Sequence, residues 1–219
     1  VILAVNEEGL PGLFRNLREV GAMLLEGKRL GVCVTGSFHN IPRVLQEYKR
    51  LVDEGAGLVP VVSSMVATLD TRFGAAKEVL ERIEQCTGEK PLVSVAEVEP
   101  FGPKKVVDLT LVAPCTGNTL AKIAAGVSDG PVTMAVKSTL RNSRPVVLCV
   151  SSNDLLGLNA RNLGVLLSSR NVYFVPFGQD NPFEKPASVE SDPGLIVDTV
   201  VSALQGRQIQ PLLVQRRKV

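Results

Sequence analysis

Short runs of apolar, β-branched residues alternate with amphipathic segments along this chain, and this alternation constrains its fold more than any other feature. The apolar runs predict buried strands at residues 28–36, 58–64, 106–114, 144–152 and 172–176. The amphipathic segments predict helices at residues 41–52, 75–86, 120–127, 131–142, 155–168 and 193–205. Because the apolar runs lack a strict period of two, they are typical of parallel strands covered on both faces. The sequence therefore predicts the α/β class, with a single doubly wound, mainly parallel sheet and helices on both faces.

Composition and charge exclude several classes of protein. Of the 219 residues, 45% are hydrophobic and 21% are charged, which is typical of a globular domain and not of a disordered chain. The 24 basic and 22 acidic residues give a net charge of +2, too balanced to indicate a nucleic-acid or membrane-surface partner. No apolar run approaches the roughly 18 to 20 residues that are needed to span a bilayer.

The reactive side chains are few and scattered. The four cysteines show no CxxC spacing, and His39 is the single histidine, so the sequence predicts no metal site. Cys33 and Cys149 lie inside apolar runs and are expected in the core. Buried thiols and the lack of a secretory signal predict a cytoplasmic protein.

Two segments stand apart from the regular alternation. Residues 1–26 are expected to form an N-terminal extension with a weak helical pattern, and residues 27–219 to form the α/β domain. The extension could pack on the sheet or on a partner, or could precede a natural start at Met23. Residues 171–186 hold four of the nine aromatic residues, a density that suits either a core or an interface or ligand lid.

The turn after the first predicted strand is a candidate anion site. Gly36 and Ser37 follow Thr35 where the strand meets a helix, and amides at a helix N-terminus carry a partial positive charge that suits a phosphate. A tight turn with a purely structural role is the alternative. Neither GxGxxG nor GxxxxGK[ST] occurs, so a mononucleotide suits the turn better than NAD or ATP.

Residues 113–131 form the most distinctive segment of the sequence. Pro114 ends a predicted strand, and Thr116, Asn118 and Thr119 crowd the start of the next helix. One such residue would be enough to cap the helix, so the additional polar groups favour a ligand loop.

The quoted motifs resemble a known family. The TGS turn and the pattern APxTxNxxAKxAxGxxD are similar to those of the flavoproteins that include cysteine decarboxylases and flavin prenyltransferases, which have a Rossmann-like fold. Within that family, the motifs TRFG, SNDLLGLN and FVPFGQDNPFEKP resemble the dipicolinate synthase branch. The resemblance extends over most of the chain, from about residue 27 to residue 214.

The resemblance implies an FMN site whose residues can be assigned by position. They are Thr35, Gly36 and Ser37 at the phosphate, Ser63 or Ser64 near the ribityl chain or the ring, and Pro114, Thr116, Asn118 and Thr119 along the flavin pocket. Cysteine decarboxylases of the family carry a histidine base after the second strand. This chain has ATLDTRFG there, and His39 does not replace that histidine by position. Cysteine decarboxylation is therefore not expected, and no catalytic residue is assigned.

The dipicolinate branch implies a B subunit of an oxidoreductase. It would act with a dehydrogenase-like A subunit, which is expected to carry NADP, to form pyridine-2,6-dicarboxylate during sporulation in the mother-cell cytoplasm. The two carboxylates of such a substrate need cations, and the candidates are Arg72, Lys122 and Arg141. The family also implies a homo-oligomer, a trimer or larger.

Two other functions remain open at this point. The chain could be a non-catalytic partner subunit with a vestigial phosphate site. It could also be a stand-alone flavin-binding enzyme such as a flavin prenyltransferase.

Overall fold

The computed structural model describes residues 23–215, which form a seven-stranded sheet with helices packed on it. The strands are β1 (Arg29–Val34), β2 (Gly57–Val62), β3 (Leu109–Thr116), β4 (Val146–Ser152), β5 (Val172–Phe174), β6 (Phe177–Gln179) and β7 (Val189–Ser191). The α-helices are α1 (Ile41–Asp53), α2 (Ser64–Thr68), α3 (Ala76–Thr87), α4 (Val95–Val98), α5 (Gly117–Ala124), α6 (Pro131–Arg141), α7 (Ala160–Leu167) and α8 (Ile196–Leu204). Short 3-10 helices cover Phe38–Asn40, Glu99–Phe101 and Pro193–Leu195. The helix expected near the N-terminus falls mainly on residues 1–22, outside the described residues.

The strands follow the order β2-β1-β3-β4-β7-β6, and β5 also pairs with β4. Strands β1 to β5 pair in parallel. Strand β7 pairs antiparallel with the last two residues of β4, and β6 pairs antiparallel with β7. The prediction of a single, mainly parallel sheet is confirmed.

Helices cover both faces of this sheet, as the apolar runs predicted. On one face, a buried cluster joins the sheet to α1, α3 and α8 and includes Leu30, Tyr48, Ile83, Leu111 and Val200. On the other face, a second cluster joins the sheet to α5, α6 and α7 and includes Cys33, Leu120, Val136, Leu148 and Leu163. Full burial of such a side chain contributes about 1.5–3 kcal/mol, so these two clusters fix the position of each helix on the sheet.

Several parts of the fold differ from the prediction. The short helices α2 and α4 were not predicted, and α5 begins at Gly117 instead of residue 120. The hairpin of β6 and β7 was not predicted, because each strand has three residues and β7 contains the polar residues Glu190 and Ser191. Helix α7 begins at Ala160 instead of residue 155. The backbone amides of Gly157 and Asn159 both donate to the carbonyl of Asp154, which closes a turn before the helix.

The order of the strands determines where a ligand can bind. Strands β1, β3 and β4 are adjacent and parallel, so their carboxyl ends meet at one edge of the sheet. Open α/β sheets bind ligands beyond this edge.

Candidate functional site

A cleft of about 620 Å³ lies beyond the carboxyl ends of β1, β3 and β4. This volume falls within the range of about 300–1,000 Å³ that is usual for small-molecule sites. Each of the three strands contributes lining residues: Gly36, Ser37 and His39 after β1, Thr116, Gly117, Asn118 and Ala121 at and after β3, and Ser151, Ser152, Asn153, Asp154 and Asn159 at and after β4. The two loops predicted from the sequence therefore meet in one cleft.

The buried hydroxyl of Thr35 joins these two loops. Its Oγ1 donates to the carbonyl oxygen of Pro114 at 2.7 Å and accepts from the backbone amide of Thr116 at 3.0 Å. Thr35 is 1% exposed and Pro114 is buried, so the Pro114 carbonyl has no water as a ready alternative partner. This side chain holds the turn after β1 against the end of β3.

A second buried group of polar side chains joins β1 to β4. The hydroxyl oxygens of Ser37 and Ser151 lie 2.8 Å apart. The side-chain amide of Asn40 donates to Ser151 Oγ at 3.0 Å and to Glu190 Oε1 at 3.2 Å. The Ser37 hydroxyl is thereby held at the wall of the cleft.

His39 lies at the mouth of the cleft. Its Nε2 is 3.0 Å from Oε1 of Glu190, and its Nδ1 is 3.5 Å from Ser37 Oγ. The Glu190 side chain is 15% exposed, whereas that of His39 is 54% exposed. The ring is therefore oriented by a largely buried carboxylate while one side of it faces solvent.

Gly117 allows the loops after β3 and β4 to approach each other closely. A Cβ at this position would lie 2.3 Å from Ser152 Oγ and 2.9 Å from both Asn159 Nδ2 and Asp154 Oδ1. The carboxylate of Asp154 accepts from the Ser152 hydroxyl at 2.6 Å and from the Asn159 amide at 2.8 Å. Only glycine fits against this group without a shift of its neighbours.

The charges around the cleft are unusual for an anion site. Within residues 23–215, no lysine or arginine lines the cleft, and the ionisable lining residues are His39 and Asp154. Helix α5 begins at Gly117, directly on the cleft, where its first amides have no intrahelical acceptor. The side chain of Asn118 is exposed and makes no hydrogen bond within the described residues. The donors available to a ligand are therefore neutral groups together with the partial positive charge of a helix N-terminus.

The comparisons with known proteins agree with this geometry. Residues 22–205 match the profile of the family described as Flavoprotein. The chain belongs to the Flavoprotein family. It is 46% identical, over 191 residues, to the B subunit of dipicolinate synthase from Bacillus subtilis (strain 168), an alignment that covers 87% of this chain and 96% of that protein. The predicted resemblance is confirmed.

Two further relatives match different shares of this chain. The crystal structure of the dipicolinate synthase B subunit from Bacillus halodurans C superposes with a TM-score of 0.82 at 43% identity, over 88% of this chain and 99% of that chain. Flavin prenyltransferase UbiX of Thermoplasma acidophilum is 28% identical over 94 residues, which are 43% of this chain and 51% of that enzyme. The similarity to the dipicolinate synthase subunits is thus both stronger and more extensive.

The predicted cofactor residues of this flavoprotein fall into two groups. Gly36, Ser37, Thr116 and Asn118 line the cleft, whereas Thr35, Pro114 and Thr119 are buried behind it. Ser63 and Ser64 are not among its lining residues. The hydroxyl of Ser63 accepts from the amide of Val66, and Ser64 is the first residue of α2.

The three predicted substrate cations are dispersed. Lys122 Nζ forms an ion pair with Asp129 at 2.8 Å, and this hydrogen bond lowers the pKa of the Asp129 carboxyl. The guanidinium of Arg72 lies 4.9 Å from the centre of the Phe73 ring. Arg141 is exposed at the end of α6. None of the three lines the cleft.

Sequence reasoning missed the contribution of β4 to the site. The residues Ser151, Ser152, Asn153 and Asp154 line the cleft, and so does His39. Polar residues at the end of an apolar strand were the available signal, and the same signal was used for β3. Glu190 gave no such signal, because its contact with His39 depends on the unpredicted strand β7.

The remaining reactive groups add no further chemistry to the cleft. Burial raises the pKa of the Cys33 and Cys115 thiols far above the usual range, so both stay protonated. Among residues 23–215, no three histidine, cysteine or acidic side chains are grouped so that they could hold a metal ion. No helix in this part of the chain is long and apolar enough to cross a membrane.

The Thr35 bridge leads to a first testable expectation. Thr35→Val keeps the shape of the side chain but leaves the Pro114 carbonyl and the Thr116 amide without a partner, which should lower the free energy of unfolding by about 2–4 kcal/mol. The matched control Thr35→Ser keeps the hydroxyl and should cost about 1 kcal/mol, for one lost methyl group. Urea unfolding measures both values, and equal losses in the two variants would contradict the role of the hydroxyl.

Proposed function

We propose that this flavoprotein is the B subunit of a dipicolinate synthase and that its cleft binds FMN. The observation that carries the proposal is the meeting of the loops at 36–37 and 116–118 in one cleft of suitable volume. The extensive similarity to two dipicolinate synthase B subunits supports the assignment to this enzyme.

The cleft fits a phosphate-bearing mononucleotide through neutral donors. The amides at the start of α5 and the hydroxyl of Ser37 can donate to phosphate oxygens, and Asn118 has an unused side-chain amide. Hydrogen bonds to a charged acceptor are worth about 1.5–3 kcal/mol each, so a few of them are enough to hold a dianion. Bound FMN would supply redox chemistry, which none of the described side chains lining the cleft provides.

The side chains of this chain would bind and orient the ligand. Ser37 is fixed by Ser151 and Asn40, so it can present its hydroxyl without first being ordered. Asp154 is held by Ser152 and Asn159 beside Gly117, where its charge would repel the phosphate from the β4 side of the cleft and toward Ser37. The ligand would therefore enter in one orientation.

The dicarboxylate substrate would require cations from outside the cleft lining. Arg72 is the strongest candidate in this chain, because it is exposed, packs over Phe73 and has no ion pair within the described residues. Lys122 is already paired with Asp129. The A subunit would bind NADP, and its docking would complete the pocket in the mother-cell cytoplasm.

Homo-oligomer formation is part of the same proposal. Leu158 and Phe183 are 89% and 95% exposed, and they lie in neighbouring loops that are joined by the hydrogen bond from the Leu156 amide to the Ala187 carbonyl. Phe174 and Phe177, from the aromatic segment, are buried instead. An interface role would therefore rest on Phe183 and the loop around it.

A second candidate function is that of a non-catalytic partner of the A subunit. The lack of a lysine or arginine among the described lining residues, together with the carboxylate of Asp154, favours this alternative. In that case the cleft would hold phosphate weakly or not at all.

FMN binding can be tested by visible absorbance of the purified chain after incubation with FMN and removal of the excess. The wild-type chain should retain the flavin bands. Ser37→Glu and Asn118→Asp place a negative charge beside the phosphate and should weaken FMN binding at least about 100-fold. Ser168→Glu, on the exposed end of α7, is the control and should bind as the wild type does. A wild-type chain that retains no flavin would contradict the FMN assignment and favour the partner function.

The reaction can be tested with recombinant A subunit by measuring the rate of dipicolinate formation. The pair should be faster than the A subunit alone, and Arg72→Gln should raise the KM for the dicarboxylate at least about tenfold. Arg170→Gln changes another exposed cation, which precedes β5 and lies away from the cleft, and should leave the KM unchanged. Equal rates with and without this chain would contradict the enzyme-subunit proposal.

A further inference from the structure

A second cavity, separate from the cleft, lies between α1 and α3. Its volume is about 360 Å³, and it shares no lining residue with the cleft. Its apolar wall is formed by Phe38, Ile41, Leu45, Phe73 and Val79. A concave, mainly apolar cavity of this size can enclose a small organic molecule.

The rim of this cavity is polar and positively charged. Lys49 from α1 and Arg82 from α3 both line it. Lys49 makes no ion pair within residues 23–215, and the contact of Arg82 with Glu78 is a long one, 3.9 Å between two exposed side chains. Gln46 and Gln85 add side-chain amides that make no hydrogen bond in the described part of the chain. The rim thus has two cations and several free donors.

The two helices are held together beside the cavity. The Cys86 thiol of α3 donates to the Leu45 carbonyl of α1, with 3.3 Å between sulfur and oxygen. Cys86 and Leu45 both line the cavity, so its walls are connected without a ligand. A preformed wall lowers the entropic cost of binding.

We propose that this cavity binds a flat aromatic carboxylate. The ring would bury apolar area against Phe38, Leu45 and Phe73, and the carboxylate would point toward Lys49 and Arg82. A small inorganic anion would leave the apolar wall unfilled, and the two cations would repel a cationic ligand. A neutral ring would lose the charge-assisted hydrogen bonds.

Calorimetric titration of the full chain with 2-naphthoate tests the proposal. One site is expected, and the neutral isostere 2-naphthamide should bind at least about tenfold more weakly. No saturation up to about 5 mM naphthoate, or equal affinity for the two compounds, would overturn the proposal. The experiment requires neither FMN nor the A subunit, so its result is independent of the proposed function.

Variants locate the binding site. The double variant Lys49→Gln/Arg82→Gln should weaken naphthoate binding at least about tenfold, whereas Lys77→Gln, an exposed change elsewhere on α3, should have no effect. Gln46→Trp places a large side chain at the mouth, without altering the core, and should abolish binding. Unchanged affinity in the double variant or in Gln46→Trp would overturn the proposal.

Cys86 provides an independent readout of occupancy. It is the one cysteine of the four that is not fully buried, and burial raises its pKa, so its reaction with a disulfide reagent should be slow but measurable. Saturating naphthoate should slow this reaction at least about fivefold. Cys86→Ser should abolish the reaction, and this loss would show that Cys86 is the thiol that is labelled. An unchanged labelling rate under saturation would overturn the proposal.

Discussion

The cleft depends on one buried hydroxyl. Thr35 ends the apolar run that becomes β1, and its side chain bonds two backbone groups of β3 that lie 79 and 81 residues away in the sequence. Parallel pairing brings β1 and β3 side by side, but it does not fix the turns that follow them. Because Thr35 binds the carbonyl of Pro114 and the amide of Thr116, the turn with Ser37 and the loop with Asn118 face the same space.

The way in which the cleft would hold an anion follows from this arrangement. Its described lining has no lysine or arginine, so the attraction would come from a helix N-terminus, hydroxyls and a side-chain amide. The Ser37 hydroxyl is oriented in advance by its contact with Ser151. Selectivity would then depend on geometry more than on net charge. In the proposed enzyme, the cations for a dicarboxylate would come from Arg72 or from the proposed A subunit.

The parts of the structure that could be predicted from sequence are those with a local signal. The alternation of apolar runs and amphipathic helices predicted the parallel sheet, and the polar residues after two strands predicted Ser37 and Asn118. The hairpin of β6 and β7 has no such signal, since its short strands are stabilised by pairing with the end of β4. The contact of His39 with Glu190 joins residues 151 positions apart, so it could not be predicted from the sequence either. Ser151 and Asp154 could have been predicted by applying to β4 the reasoning used for β3.

The most direct test of FMN binding in the cleft is a crystal structure of this chain grown with FMN. The phosphate should lie within about 2.7–3.2 Å of the Ser37 hydroxyl and of amides at the start of α5. A phosphate bound elsewhere, for example at the rim between α1 and α3, would contradict the proposed site. So would the absence of bound FMN in crystals grown at a saturating concentration.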